Sequence, residues 1–226
     1  TAPQTPEVRD VLFEEASKKK VEVRELDPAS IECLGSREGK YCFRFRDSVF
    51  NLSLRGFHQV QNAALAVEAF NSLTAQGFKA SEECVKKGVH EAGCPARIQK
   101  LRDHPKVFVD GSHNLDSAKS LADFLLKHTP APRSLIFGIM RDKDIPGILG
   151  ILGPCFNRVY LTRVNSPRAA TINELQRFFP SGMPAPDSLR AYRKSLTDCS
   201  TLVVCGSFYL AGELLPQILA DDSPKI

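Results

Sequence analysis

The chain has 226 residues, 42% of them hydrophobic and 25% charged, an ordinary globular composition with length enough for one large domain or two small ones. Thirty basic against 26 acidic residues leave a formal net charge of +4. The densest basic run, Lys18-Lys19-Lys20, has no aromatic residue interleaved, so it reads as a solvated face and no nucleic-acid partner is expected. No apolar run is long enough to span a bilayer, and TAPQTPEVRD at the start has neither the basic opening nor the apolar core of a signal peptide. No membrane partner is therefore expected.

Seven cysteines stand at 33, 42, 84, 94, 155, 199 and 205, an odd count without a C-x-x-C pair, which argues against a disulfide framework and a zinc site. Cys84, His90 and Cys94 have no fourth ligand nearby. Reduced thiols and a cytoplasmic location are expected. The absence of an initiating Met is compatible with processing or with a piece of a longer protein.

In chain order, Glu7 to Lys18 has helical spacing through Val8, Val11, Leu12 and Ala16. Val21 to Leu26 alternates and predicts a strand. Tyr41 to Leu54 predicts a hairpin turning at Asp47-Ser48. Gly35-Ser-Arg-Glu-Gly39-Lys40-Tyr41 imitates a phosphate-binding P-loop, but it is one residue short, ends in Tyr41 and precedes a hairpin, so it reads as a turn. His58 to Thr74 is an Ala-rich helix, and Ser81 to Ala92 a second one with Ser81 as its cap.

Gly93-Cys94-Pro95 marks a domain boundary, giving domains 1–94 and 95–226. Beyond it, strand-like segments (98–102, 106–110, 134–139, 157–162, 201–205) alternate with helix-like ones (115–128, 144–152, 171–179, 187–196, 207–219). That order predicts an α/β fold, a mostly parallel sheet with helices on both faces. Pro180 to Pro186 reads as a loop.

Ligands bind beyond the carboxyl ends of such strands. Four polar clusters follow strands there: Asp110-Gly-Ser-His113-Asn114, Met140-Arg141-Asp142-Lys143-Asp144, Thr162-Arg163 with Ser166-Pro167-Arg168, and Gly206-Ser207. Asn114, Asp110 or Ser207 could be simple helix caps, and Arg141–Asp144 a solvated loop. His113 is not a preferred cap and should face the ligand edge. Gln59 and Asn62, three apart near a helix start, share one face and offer amides that suit the edge of a base, or else cap and meet solvent. Arg97, in the linker Cys94-Pro-Ala-Arg97, can hold phosphate oxygens in a fork, or it is a surface arginine.

Six stretches, LRGFHQVQNAALA (54–66), PARIQ (95–99), VDGSHN (109–114), FGIMRDKD (137–144), SPRA (166–169) and CGSFYLAGE (205–213), together resemble the folylpolyglutamate synthase and dihydrofolate synthase family of the Mur ligase group. The resemblance runs in order through nearly all of the chain. It implies a ligase that uses ATP and Mg2+ to phosphorylate the carboxylate of a folate or dihydropteroate and lets the amine of L-glutamate attack the acyl phosphate. It also implies a P-loop ATPase domain followed by a Rossmann-like domain, a site between them, and a monomer. Residues 1–94 would be the C-terminal part of the ATPase domain and 95–226 the Rossmann-like domain.

On the matching positions, His58, Gln59, Asn62, Arg97 and Asp110 would bind nucleotide: Gln59 and Asn62 at adenine with His58 in support, Arg97 at the phosphates, Asp110 at the ribose. His113 and Arg97 would be catalytic. His113, Ser207, Lys143, Asp144 and Arg168 would form the glutamate pocket. The chain departs from the family pattern at Leu115 (usually Pro), Ser112 (commonly Ala) and Ala96 (commonly Gly), none of which removes a reactive group. The family's P-loop, magnesium-binding acid and modified lysine have no counterpart in these residues, so this chain alone is expected not to catalyse ligation. Two other readings are a Mur-type ligase for a different carboxylate and a non-catalytic nucleotide- or glutamate-binding module.

Overall fold

Contacts divide the chain into two units, Thr1–Gly93 and Cys94–Ile226. The computed structural model describes residues 1–74, 76–197 and 199–221.

The first unit opens with α1 (Pro6–Lys19), which buries none of its side chains and stops where Lys20 turns left-handed at φ 55°. Three antiparallel strands follow, β1 (Ile31–Arg37), β2 (Lys40–Phe45) and β3 (Ser48–Arg55), in that order across the sheet. Alternation along β2 and β3 puts Phe43, Phe45, Phe50 and Leu52 on one face. Helix α2 (His58–Thr74) lays Val60, Ala63, Ala64 and Val67 against them, its alanines permitting close approach. Helix α3 (Glu82–Glu91) packs on β3, and the Ser81 hydroxyl accepts the Cys84 N–H at 3.2 Å as its cap.

One expectation needs correction in this unit, and one strand was not foreseen. Val21 to Leu26 forms no strand; Val21 N–H bonds back to the Ala16 carbonyl and Leu26 N–H to that of Thr1, so the backbone donors are used outside any ladder. The predicted hairpin is present as β2 and β3, turning at Arg46-Asp47, one residue earlier than expected, and a third strand precedes it. That strand, β1, escapes pattern reading because all but one of its residues are exposed and a bulge between Cys33 and Gly35 breaks the alternation. The P-loop look-alike is the β1–β2 turn, with Glu38 at φ 51° and Gly39 at φ 75°.

The second unit is a six-stranded sheet in the order β4-β5-β9-β6-β7-β8. The strands are β4 (Gln99–Asp103), β5 (Lys106–Val109), β6 (Arg133–Phe137), β7 (Arg158–Leu161), β8 (Met183–Pro184) and β9 (Thr201–Cys205). Only β4 runs antiparallel to its neighbour. Strand β8 lies inside the segment predicted to be a loop; it is two residues long, and Pro184, which has no N–H to give, suits the sheet edge.

The central strands are buried on both faces, as parallel sheets require. Phe108, Leu135, Phe137, Val203 and Cys205 point to one face, where α4 (Leu115–His128), α5 (Ile145–Leu152) and α6 (Ile172–Phe178) cover them. Val107, Val109, Ile136, Leu202 and Val204 point to the other, under α7 (Ser188–Ser195) and α8 (Phe208–Asp221). Each large side chain buried in these two layers contributes about 1.5–3 kcal/mol.

At the carboxyl edge β9 and β6 approach closely. Gly206 has φ 114°, and a Cβ there would sit 2.5 Å from the Gly138 carbonyl oxygen. Gly206→Ala is therefore expected to cost at least about 1–3 kcal/mol, from backbone strain alone before the clash. Urea unfolding of the chain checks this through a lowered midpoint at unchanged slope.

Candidate functional site

Strand β9 is where the fold's connections part. The helices after its neighbours β5 and β6 (α4 and α5) cover one face, while the helix after β9 itself (α8) covers the other. Adjacent strands whose chains leave in opposite directions open a crevice beyond their carboxyl ends. Three helix N-termini start at that edge, each with its own cap. Asn114 Oδ1 accepts the Ser117 N–H at 2.9 Å, Asp144 Oδ1 the Gly147 N–H at 3.0 Å, and Ser207 Oγ the Leu210 N–H at 3.1 Å. Each N-terminus carries roughly half a positive charge in its unpaired N–H groups, so this edge of the sheet favours anions.

Asp110, directly after β5, is 5% exposed and turns inward. Its Oδ2 accepts the Ile98 N–H at 2.7 Å; its Oδ1 accepts the Ser112 N–H at 2.8 Å and the Ser112 hydroxyl. A carboxylate has about four acceptor positions, so one remains, on Oδ2. The same loop takes the linker in hand a second time, through Gly111 N–H to the Ala96 carbonyl at 2.8 Å. Between these two bonds Ala96 and Ile98 adopt left-handed φ values of 55° and 44°, with Arg97 between them. Such backbone is uncommon for a side chain with a Cβ, more so for a β-branched one, and it persists here because both flanks are tied to the Asp110 loop.

The Arg97 guanidinium lies 5.2 Å from the centre of the Phe208 ring, at the start of α8. The His113 ring is 5.9 Å from the same ring. Gly111 leaves room for Phe208: a Cβ on it would come within 2.4 Å of the ring. His113 Nδ1 is 2.7 Å from the Gly111 carbonyl. A carbonyl only accepts, so Nδ1 carries the proton and Nε2 is the nitrogen left for a ligand.

The loops after β6 and β7 are joined to each other. Met140 and Ala169 form a β-bridge, Arg141 N–H donates to the Arg168 carbonyl at 2.9 Å, and Ala170 N–H to that of Ile139 at 2.9 Å. Arg141 Nε meets Glu174 Oε1 at 3.0 Å. Lys143 pairs with Asp142 at 3.0 Å and draws that carboxyl below its ordinary range. Of the residues expected around glutamate, Asp144 and Ser207 serve as caps. Lys143 and Arg168 stand on the joined loops, and His113 lies on the loop after β5.

His58, Gln59 and Asn62 belong to the first unit. Gln59 Nε2 lies 3.0 Å from His58 Nε2, and Asn62 Nδ2 donates to Gln59 Oε1 at 3.0 Å, so the three polar groups form one chain along the first turn of α2. Gln59 and Asn62 edge a cavity of about 430 Å³ whose other walls are mainly apolar, including Leu52, Leu54, Phe70 and Val89.

Two members of the crevice were not singled out by sequence reasoning. Phe208 stands only within the stretch CGSFYLAGE, although a Phe at the first position of a helix, off its apolar stripe, is a legible signal. Ser112 was noted as a small departure, yet it occupies half of the Asp110 carboxylate.

Comparison with known proteins agrees with the fold. The model of the family described as "Mur ligase, glutamate ligase domain" matches residues 96–208. The dihydrofolate synthase/folylpolyglutamate synthase of Mycobacterium tuberculosis is 36% identical over 149 residues, 62% of this chain and 30% of that protein. The Bacillus subtilis protein of the same name is 25% identical over 232 residues, 96% of this chain and 54% of its own length. Among solved structures, Mycobacterium tuberculosis folylpolyglutamate synthase complexed with ADP and AMPPCP superposes with a TM-score of 0.83 at 25% identity, covering 96% of this chain and 54% of that one.

The fold is that of a ligase-type α/β domain. The chain belongs to the Mur ligase family, through its glutamate ligase domain. It spans about half or less of the length of the relatives it matches. Among the described residues, no cluster of three or more His, Cys, Asp or Glu could hold a metal ion. No helix among them is long and apolar enough to cross a membrane.

Glu174 closes the capping box of α6 as well as holding Arg141. Its carboxylate is held below the ordinary glutamate range first by the Thr171 N–H, then by the Thr171 hydroxyl, with Arg141 adding to both. A lowered folded-state pKa means stabilisation that is present above the ordinary carboxylate range and is lost as pH falls through the folded value. Glu174→Gln is expected to lower the urea midpoint at neutral pH, and the gap from wild type should close as the pH is lowered into the acid range.

Proposed function

We propose that the chain serves an ATP-dependent ligase that joins L-glutamate to the carboxylate of a folate or dihydropteroate. In this reading the γ-phosphoryl group of ATP is transferred to the acceptor carboxylate, the glutamate amine attacks the acyl phosphate, and an amide, ADP and phosphate result. The observation that carries it is the meeting of three helix N-termini with Arg97 and His113 at the edge around β9, a place built for two anionic reactants. Residues 1–94 are assigned to the C-terminal part of an ATPase-type domain and 95–226 to the ligase domain.

Within that reading the residues divide the work. Gln59 and Asn62, backed by His58, offer amides to the adenine edge. The one acceptor position left on Asp110 takes a ribose hydroxyl. Arg97 presents its fork to phosphate oxygens, where charge builds during transfer. Ser207, with the start of α8 behind it, holds a glutamate carboxylate, and Lys143 and Arg168 draw the second carboxylate toward the joined loops. Asp144 acts indirectly by fixing the start of α5. His113 Nε2, an acceptor in the neutral ring, takes the proton that the glutamate ammonium must lose before it attacks. A monomer acting in the cytoplasm, with its seven cysteines as free thiols, belongs to the same reading.

The test is ADP release by the longest natural chain that contains these residues, with ATP and magnesium, with and without glutamate, against dihydropteroate and a reduced folate separately. Release that needs both glutamate and a pterin acceptor is expected. Release with glutamate and another carboxylate would point to a different Mur-type substrate, and no coupled release would overturn the reading. In the same assay His113→Ala is expected to lower turnover by about 10²- to 10⁴-fold. Asp110→Ala should act chiefly through weaker nucleotide binding, and wild-type turnover in both variants would contradict the assignment.

A further inference from the structure

We propose that Phe208 is a positioning residue, its ring being the shelf that holds the Arg97 guanidinium in place for an anion; what Arg97 then does rests on the ligase reading above. Four observations carry this. Phe208 is 44% exposed and lies off the buried stripe of α8, which runs through Leu210, Ala211, Leu214 and Ile218, so the core does not explain a large aromatic there. The guanidinium stands over its ring at 5.2 Å. Among the described residues Arg97 makes no side-chain hydrogen bond or ion pair, so the ring is the contact that restrains its end. Finally, the ring occupies the space that Gly111 leaves by having no Cβ.

The physical gain is pre-organisation. A free arginine end carries about 2 kcal/mol of rotamer entropy, which binding an anion must remove. A carboxylate partner would fix the guanidinium but consume its donors and cancel its charge. An aromatic face restrains it through the ring quadrupole and leaves all five N–H donors for the ligand. The backbone contributes the other half, since the left-handed residues Ala96 and Ile98 fix the direction in which Arg97 leaves the linker. The His113 ring also lies against Phe208, 5.9 Å away between ring centres. The class of ligand implied is a polyphosphate or acyl phosphate, whose oxygens match the fork.

The test uses Phe208→Leu, which keeps apolar bulk without a π face, and Phe208→Tyr, which keeps the face. In NMR spectra of the 226-residue chain, the Arg97 side-chain protons are expected upfield from the ring current in wild type and Phe208→Tyr, and at random-coil values in Phe208→Leu. Inorganic tripolyphosphate should bind the Leu variant roughly two- to five-fold more weakly, with Tyr restoring the affinity, and thermal melts should be unchanged in all three. An absent upfield shift in wild type, or equal tripolyphosphate affinity in Leu and wild type, overturns the proposal. In the longest natural chain, kcat/KM for ATP should fall by the same factor in Phe208→Leu, and unchanged kcat/KM overturns the role in turnover. If wild type shows no glutamate-dependent ADP release, it is the ligase reading that fails, and the shelf is then decided by the proton shifts and tripolyphosphate affinity.

Discussion

The geometry of the candidate site depends on one buried carboxylate. Asp110 leaves the end of β5 and, instead of facing solvent, accepts the Ile98 and Ser112 N–H groups. An acid that is 5% exposed would be costly to bury without partners, and those two amides would be costly to leave unpaired. Each therefore compensates the other. The result is a closed loop in which the linker before β4 and the turn after β5 hold each other, with the two left-handed residues around Arg97 locked between them. Remove the carboxylate and the turn has little reason to keep its strained backbone.

Around that loop the helix N-termini supply partial positive charge from the backbone. The crossover from β5 to β6 by α4 leaves a place between them that β9 fills, and α8 departs to the opposite face. Three helix N-termini thus meet at one edge, and their caps Asn114, Asp144 and Ser207 leave the remaining N–H groups for a ligand. Arg97, at the Phe208 ring, adds a full positive charge beside the start of α8. The close approach of Gly206 to Gly138 keeps side chains away from the edge where β9 and β6 meet.

Much of this was legible in the residues. The α/β alternation after Pro95 is visible because parallel strands buried on both faces are continuous apolar runs, such as TLVVC, set between amphipathic helices capped by Asn114, Thr171 and Asp187. The Asp110-to-Asn114 run stood out because a histidine at a strand end has no structural duty as a cap. Three features were not legible. Val21–Leu26 alternates like a strand but has no partner, and pairing is a tertiary fact that pattern cannot supply. Strand β1 is too exposed to show a period. Asp110 reads from sequence as a free ligand group, since nothing in the run DGSHN tells that the Ile98 amide, 12 positions upstream, will come to lie against it. Phe208 was hidden for a related reason, its neighbour Arg97 being more than 100 residues away in the chain.

The most direct measurement is amide hydrogen exchange, residue by residue, in the wild-type chain and in Asp110→Ala. If this carboxylate holds the linker turn, Ile98 and Ser112 lose protection by at least about tenfold in the variant, the equivalent of one hydrogen bond at roughly 1.4 kcal/mol, while Val107–Val109 and Leu202–Val204 in β5 and β9 keep theirs. Unchanged protection at Ile98 would contradict the account, as would a uniform loss across the whole sheet, which would make Asp110 a general stabiliser of the unit rather than the clamp of its site.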